Sequence, residues 1–195
     1  FMIMNILITV AHPDDETIGM GGTIKKLSKN NEITLCVMSD GASAQYDDKK
    51  MIKVRQDACK KAGKILGISK FYFLNFPDMK LDSISHVEMN KELEKIIKKI
   101  NPKILYSTSY NDLNKDHQKV FESCSVISRP ISSKIKKFLC FEMGGRNKTP
   151  FNPNTYVDIS KELSFKLKAL NQYKTEINPF PHERSLKFIE SLSHV

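Results

Sequence analysis

Apolar positions in this chain come in short continuous blocks separated by longer, half-polar segments. "NILITV" (5–10), "ITLCVMS" (33–39), "FYFLNF" (71–76) and "KILYST" (103–108) have the length and branched composition of strands buried on both faces. The segments between them have helical spacing. "TIGMGGTIKKLSK" (17–29) sets Ile18, Met20, Ile24 and Leu27 on one side. A second helix, capped by Asp47 or Asp48, runs to about Leu66 and ends on Gly67. "SHVEMNKELEKIIKKI" (85–100) gathers Val87, Met89, Leu93, Ile96, Ile97 and Ile100 near one face, and Asn101-Pro102 stops it. Strands alternating with helices predict βαβ units, hence an α/β fold with a mostly parallel central sheet and helices on both faces.

The last third is less regular. It holds the stretches "FLCFEM" and "TYVDIS", a helix near 160–173 and a proline-rich tail, "NPFPHERS". No repeat, low-complexity tract or linker divides the chain, so residues 1–195 are expected to form a single domain.

Composition narrows the setting. A chain that is 40% hydrophobic and 27% charged reads as a soluble globular protein. The apolar start "FMIMNILITV" lacks a basic leader and meets His12 and Asp14 well short of the roughly 18 residues a membrane span needs. A cytoplasmic protein with no membrane span is expected. Cys36, Cys59, Cys124 and Cys140 form no C-x-x-C pair and read as reduced thiols. The net charge of +9 is carried by lysine, with arginine only at Arg55, Arg129, Arg146 and Arg184. That balance argues against nucleic acid as a partner, since base-edge and phosphate recognition favours arginine forks. An anionic small substrate is compatible with it.

The chemistry sits in "VAHPDDE" (10–16), at the end of the first predicted strand, and in "SYNDLNKDHQ" (109–118), at the end of the fourth. In open parallel sheets these loops share one rim, where ligands bind. Two readings fit the first motif. Carboxylates at a helix start are favoured by capping and by the helix dipole. Alternatively, His12 and Asp15 converge on one metal ion across a turn stiffened by Pro13, with His117 as third ligand and an open position for water, as in catalytic zinc sites. Asp14 would then be free to act as a base towards that water, and Asp116 to orient a neighbouring ligand. The glycines of "GMGG" (19–22) lack phosphate-loop spacing and read as close helix packing.

"ILITVAHPDDETIGMGGTI" resembles the opening motif of the LmbE-like, or PIG-L, family of zinc-dependent N-acetylglucosaminyl deacetylases. The similarity continues through "VMSDG", "VRQDACKKAGKILGI", "FLNFPD", "NDLNKDHQ" and "NTYVDISKELSFKLKAL", almost the whole chain. It implies a Rossmann-like three-layer sandwich, Zn2+ (or another divalent metal) held by His12, Asp15 and His117, and Asp14 as general base. It also implies Arg55 and Asp78 as substrate-binding residues beside the sugar. Many relatives carry a histidine where this chain has Asn114, whose amide can donate a hydrogen bond to an oxyanion but cannot shuttle a proton. The expected substrate is an N-acetylated amino sugar or its conjugate, and a homo-oligomer is compatible with the sequence. A sugar-binding protein without catalysis and an amidase for a different amide are the alternatives that Asn114 motivates.

Overall fold

The computed structural model of the protein describes residues 3–145 and 147–194. The four apolar runs form β1 (Met4–Val10), β2 (Asn31–Ser39), β3 (Lys70–Phe76) and β4 (Ile104–Thr108), and "FLCFEM" supplies β5 (Lys137–Phe141). All pair in parallel in the order β3-β2-β1-β4-β5. β1 lies at the centre, with Ile6 opposite both Ile33 of β2 and Ile104 of β4. Its side chains alternate between two dry layers, which is why it reads as one unbroken apolar run. Ile6, Ile8 and Val10 pack under α1 (Asp15–Leu27), α2 (Lys50–Leu66) and, further along the chain, α5 (Leu163–Leu170). Leu7 and Ala11 pack under α3 (His86–Ile100) and α4 (Lys115–Ile127). The three-layer α/β sandwich is therefore formed.

Local rules hold at several element ends. Asp48 Oδ1 accepts the Lys50 N–H at the start of α2, and Gly67 closes that helix with φ 91°, where a side chain would be strained. A Cβ on Gly19 would lie 2.3 Å from the Phe141 ring and one on Gly22 2.7 Å from Ile159, so "GMGG" packs α1 closely against its neighbours. Some boundaries differ from the periodicity. α1 begins at Asp15 rather than Thr17, and α4 begins at Lys115 inside the expected loop. "TYVDIS" forms no regular element, and α6 (Leu186–Leu192) is the last helix among the described residues. Among the described residues no helix is long and apolar enough to cross a membrane.

The strand order places the chemistry. β1, β2 and β3 step outward in one direction, and β4 returns to the other side of β1. The carboxyl ends of β1 and β4 are thus neighbours at the point where the winding reverses, the usual place for a ligand crevice in such sheets.

Candidate active site

His12 lies just beyond the end of β1, separated from it by Ala11, Asp15 opens α1, and Asp116 and His117 sit on the first turn of α4. All four are buried. His12 Nδ1 and His117 Nε2 face each other at 3.2 Å. Asp15 lies across both, with Oδ2 3.4 Å from His12 Nδ1 and Oδ1 3.4 Å from His117 Nε2. Asp15 is itself held by the His12 backbone N–H at 2.8 Å.

The outer ring nitrogens decide the chemistry of the inner ones. His117 Nδ1 lies 2.7 Å from Asp112 Oδ2, and His12 Nε2 lies 3.2 Å from Asp116 Oδ2 and 3.3 Å from Asp78 Oδ1. With the outer nitrogen donating to its carboxylate, the inner nitrogen of each neutral ring presents a lone pair. Two inward lone pairs and a carboxylate repel one another unless a proton or a cation sits among them. His12, Asp15 and His117 therefore fit a divalent metal by their donor set, and their ligand atoms lie within 4.8 Å of one another. Protons fill the same need in the metal-free protein. Burial disfavours charge on His12, but Asp15, Asp116 and Asp78 override it and lift its pKa to about 10. Burial is likewise outweighed at His117, which Asp15 and Asp112 raise to about 9.

Asp116 also ties the site to the β3–α3 connection, accepting the backbone N–H of Met79 at 2.9 Å and of Leu81 at 3.0 Å. Asn114 is the N-cap of α4. Its Oδ1 accepts the Asp116 N–H at 2.8 Å, and its amide nitrogen faces Met79 Sδ at 3.7 Å.

Asp14 faces a different neighbourhood. As residue before α1 it makes no side-chain cap, and its backbone has φ 128°, a left-handed conformation that costs a non-glycine residue roughly 1–3 kcal/mol. This turns its carboxylate towards two guanidinium groups, with Oδ2 3.6 Å from Arg55 and 3.4 Å from Arg184. Glu176 bridges the two arginines, 2.9 Å from Arg55 and 2.7 Å from Arg184. Asp14 Oδ1 is buried without a hydrogen-bond partner. Burial raises the pKa of Asp14 despite the two arginines. Burial also pushes on Asp15, but His117 and His12 hold its carboxyl well below the usual range.

Arg55 is itself buried and donates to the Pro13 carbonyl at 3.0 Å, while its Nε lacks an acceptor. Asp78 is buried, and its Oδ1 is near His12 without a hydrogen bond. The fold thus brings all eight sequence-derived candidates into one contiguous region. It adds Asp112, Glu176 and Arg184, which pattern reading missed. Asp112 carried one usable signal, a carboxylate five residues before His117 at the same strand end. Glu176 and Arg184 carried none, since the site residues they meet, Arg55 and Asp14, are more than a hundred residues away in sequence.

The connections around the site expose Met79, Tyr110 and Leu113. The cysteines are free, and burial raises the thiol pKa of all four, so none is a ready nucleophile or thiolate ligand.

The chain is 26% identical to the diacetylchitobiose deacetylase of Thermococcus kodakarensis, over 93% of this chain and 72% of that protein. It is 30% identical to the uncharacterized deacetylase YaiS of Escherichia coli, over 87% of this chain and 90% of that protein. Among solved structures it is similar to the N,N'-diacetylchitobiose deacetylase of Pyrococcus horikoshii complexed with its inhibitor MPG. The TM-score there is 0.78 at 26% identity, covering 97% of this chain and 76% of that one. Residues 7–127 match the family described as PIG-L, GlcNAc-PI de-N-acetylase, and the chain, an α/β protein with deacetylase relatives, belongs to that family.

Proposed function

We propose that the protein is a zinc-dependent hydrolase that removes the acetyl group from the amide nitrogen of an N-acetylglucosamine-type sugar or its conjugate. The observation that carries this reading is a buried, unpaired Asp14 oxygen beside a turn whose next residue, Asp15, faces two inward imidazole nitrogens. His12, Asp15 and His117 would hold the metal, which when bound polarises a carbonyl and makes water more acidic. Asp14 takes a proton from the attacking water and returns one to the leaving nitrogen, giving acetate and a free amine. Its raised pKa suits both halves of that exchange. Asp112 and Asp116 fix the two imidazole rings. Arg55, beside Asp14, and Asp78, beside His12, hydrogen-bond the sugar hydroxyls. The amide nitrogen of Asn114 is available to a developing oxyanion. The exposed Met79, Tyr110 and Leu113 suit the C–H face of a sugar ring. The named activity of the Thermococcus and Pyrococcus relatives supports the N-acetylglucosamine class.

The test is acetate release by zinc-loaded protein from N-acetylglucosamine compounds that differ only in the aglycone. Asp14→Asn is expected to keep zinc and lose about 10²–10⁴-fold in kcat. Full activity in that variant would remove Asp14 as the base. Tight sugar binding with no release from any compound would favour a binding protein.

A further inference from the structure

The last residue of the "HPDDE" turn has no role in the chemistry above, yet it is fully buried directly behind it. Glu16 makes three hydrogen bonds. Its Oε2 accepts the Asp14 backbone N–H at 3.2 Å, and its Oε1 accepts the Thr17 hydroxyl at 2.6 Å and the Tyr173 hydroxyl at 2.5 Å. Tyr173 lies just beyond α5 and is itself buried. Its carbonyl accepts the N–H of Glu176, the residue that holds both arginines against Asp14.

A carboxylate placed where a helix begins ordinarily folds back to cap the helix. Asp14 does not. Its backbone is held at φ 128° and ψ −28°, a conformation a non-glycine residue keeps only when its surroundings impose it. The Glu16 carboxylate is the group that receives the Asp14 N–H in that conformation, and Tyr173 fixes the carboxylate from the far end of the chain. We propose that Glu16, anchored by Tyr173, is a positioning residue that holds Asp14 in its left-handed turn and so aims the carboxylate into the site. The inference rests on Asp14 being the base.

The experiment compares Glu16→Met, Glu16→Gln and Tyr173→Phe with Asp14→Asn as control. It follows zinc content, acetate release from N,N'-diacetylchitobiose and hydrogen exchange of the Asp14 amide in the metal-free protein. Met keeps the length of Glu16 without an acceptor, whereas Gln retains one. Glu16→Met is expected to keep zinc and KM, lose about tenfold to a hundredfold in kcat, and speed exchange at Asp14. Glu16→Gln should restore both kcat and protection. Tyr173→Phe, which removes only a hydroxyl, should give a smaller loss of the same kind and decides the matter if Glu16→Met does not fold.

Unchanged kcat with unchanged Asp14 protection in Glu16→Met or Tyr173→Phe would overturn the inference. So would a kcat loss that tracks loss of zinc, because Glu16 would then act through Asp15. An active Asp14→Asn would instead defeat the assignment of the base, and the exchange measurement would still report whether Glu16 holds the turn.

Discussion

Asp14 and Asp15 are neighbours in sequence and both are buried, yet their surroundings drive them in opposite directions. Asp15 lies between two imidazole rings that are themselves backed by Asp112, Asp116 and Asp78, so its negative charge is stabilised. Asp14 lies between two arginines whose charge is shared with Glu176, and burial keeps its pKa raised. On the proposed reading, one side of the turn holds a cation and the other a proton that can be exchanged. Carboxylates whose environments separate their pKa values can divide acid–base work between them, and here a single peptide bond separates the two environments.

The largest effect that would break this contrast is on the histidine side. His117→Ala removes one inward nitrogen and leaves Asp112 without its partner, so zinc retained after dialysis should fall to background, together with acetate release. Asp112→Asn is expected to be milder, weakening zinc by about 10–100-fold in a competition titration while leaving the fold intact. Equal zinc affinity in that variant would mean that Asp112 does not set the His117 ring.

On the arginine side the contrast is sharpened by pH. Arg184 lowers the pKa of Asp14, so Arg184→Gln raises it. Since Asp14 must be ionised to accept a proton, the acid limb of the kcat profile should move to higher pH, with zinc content unchanged. A shift to lower pH would contradict the assignment of Asp14. The smallest effect is expected at Asn114. Asn114→Ala removes an N-cap and should cost about 1 kcal/mol in chemical denaturation, with a smaller loss of zinc affinity than Asp112→Asn. A kcat loss out of proportion to that would assign the amide nitrogen to the oxyanion.

Much of this site could be read from the chain because its parts are local. His12, Asp14 and Asp15 occupy one turn after a run that is plainly a buried strand, and Asp116 and His117 follow another. Asp112 was harder to see, because a carboxylate in a polar loop looks the same whether or not a ring faces it. Glu16 looked like one more acidic residue at a helix entrance, since its partner Tyr173 is 157 residues away. β5 and α4 were hidden for a related reason. "FLCFEM" is short enough to belong to several elements, and the polar first turn of α4 has loop composition.

The sequence by itself determined the alternation of strands and helices, the parallel sheet and the two strand ends that carry the chemistry, because period and composition are local properties. Tertiary structure alone decided which carboxylate faces which ring, and that Asp14 meets Arg55, Arg184 and Glu176. Those contacts depend on the strand order that sets β1 beside β4 and on the C-terminal segment returning to the start of α1. Burial and the charges gathered around a group set its pKa, and both exist only once the chain has folded.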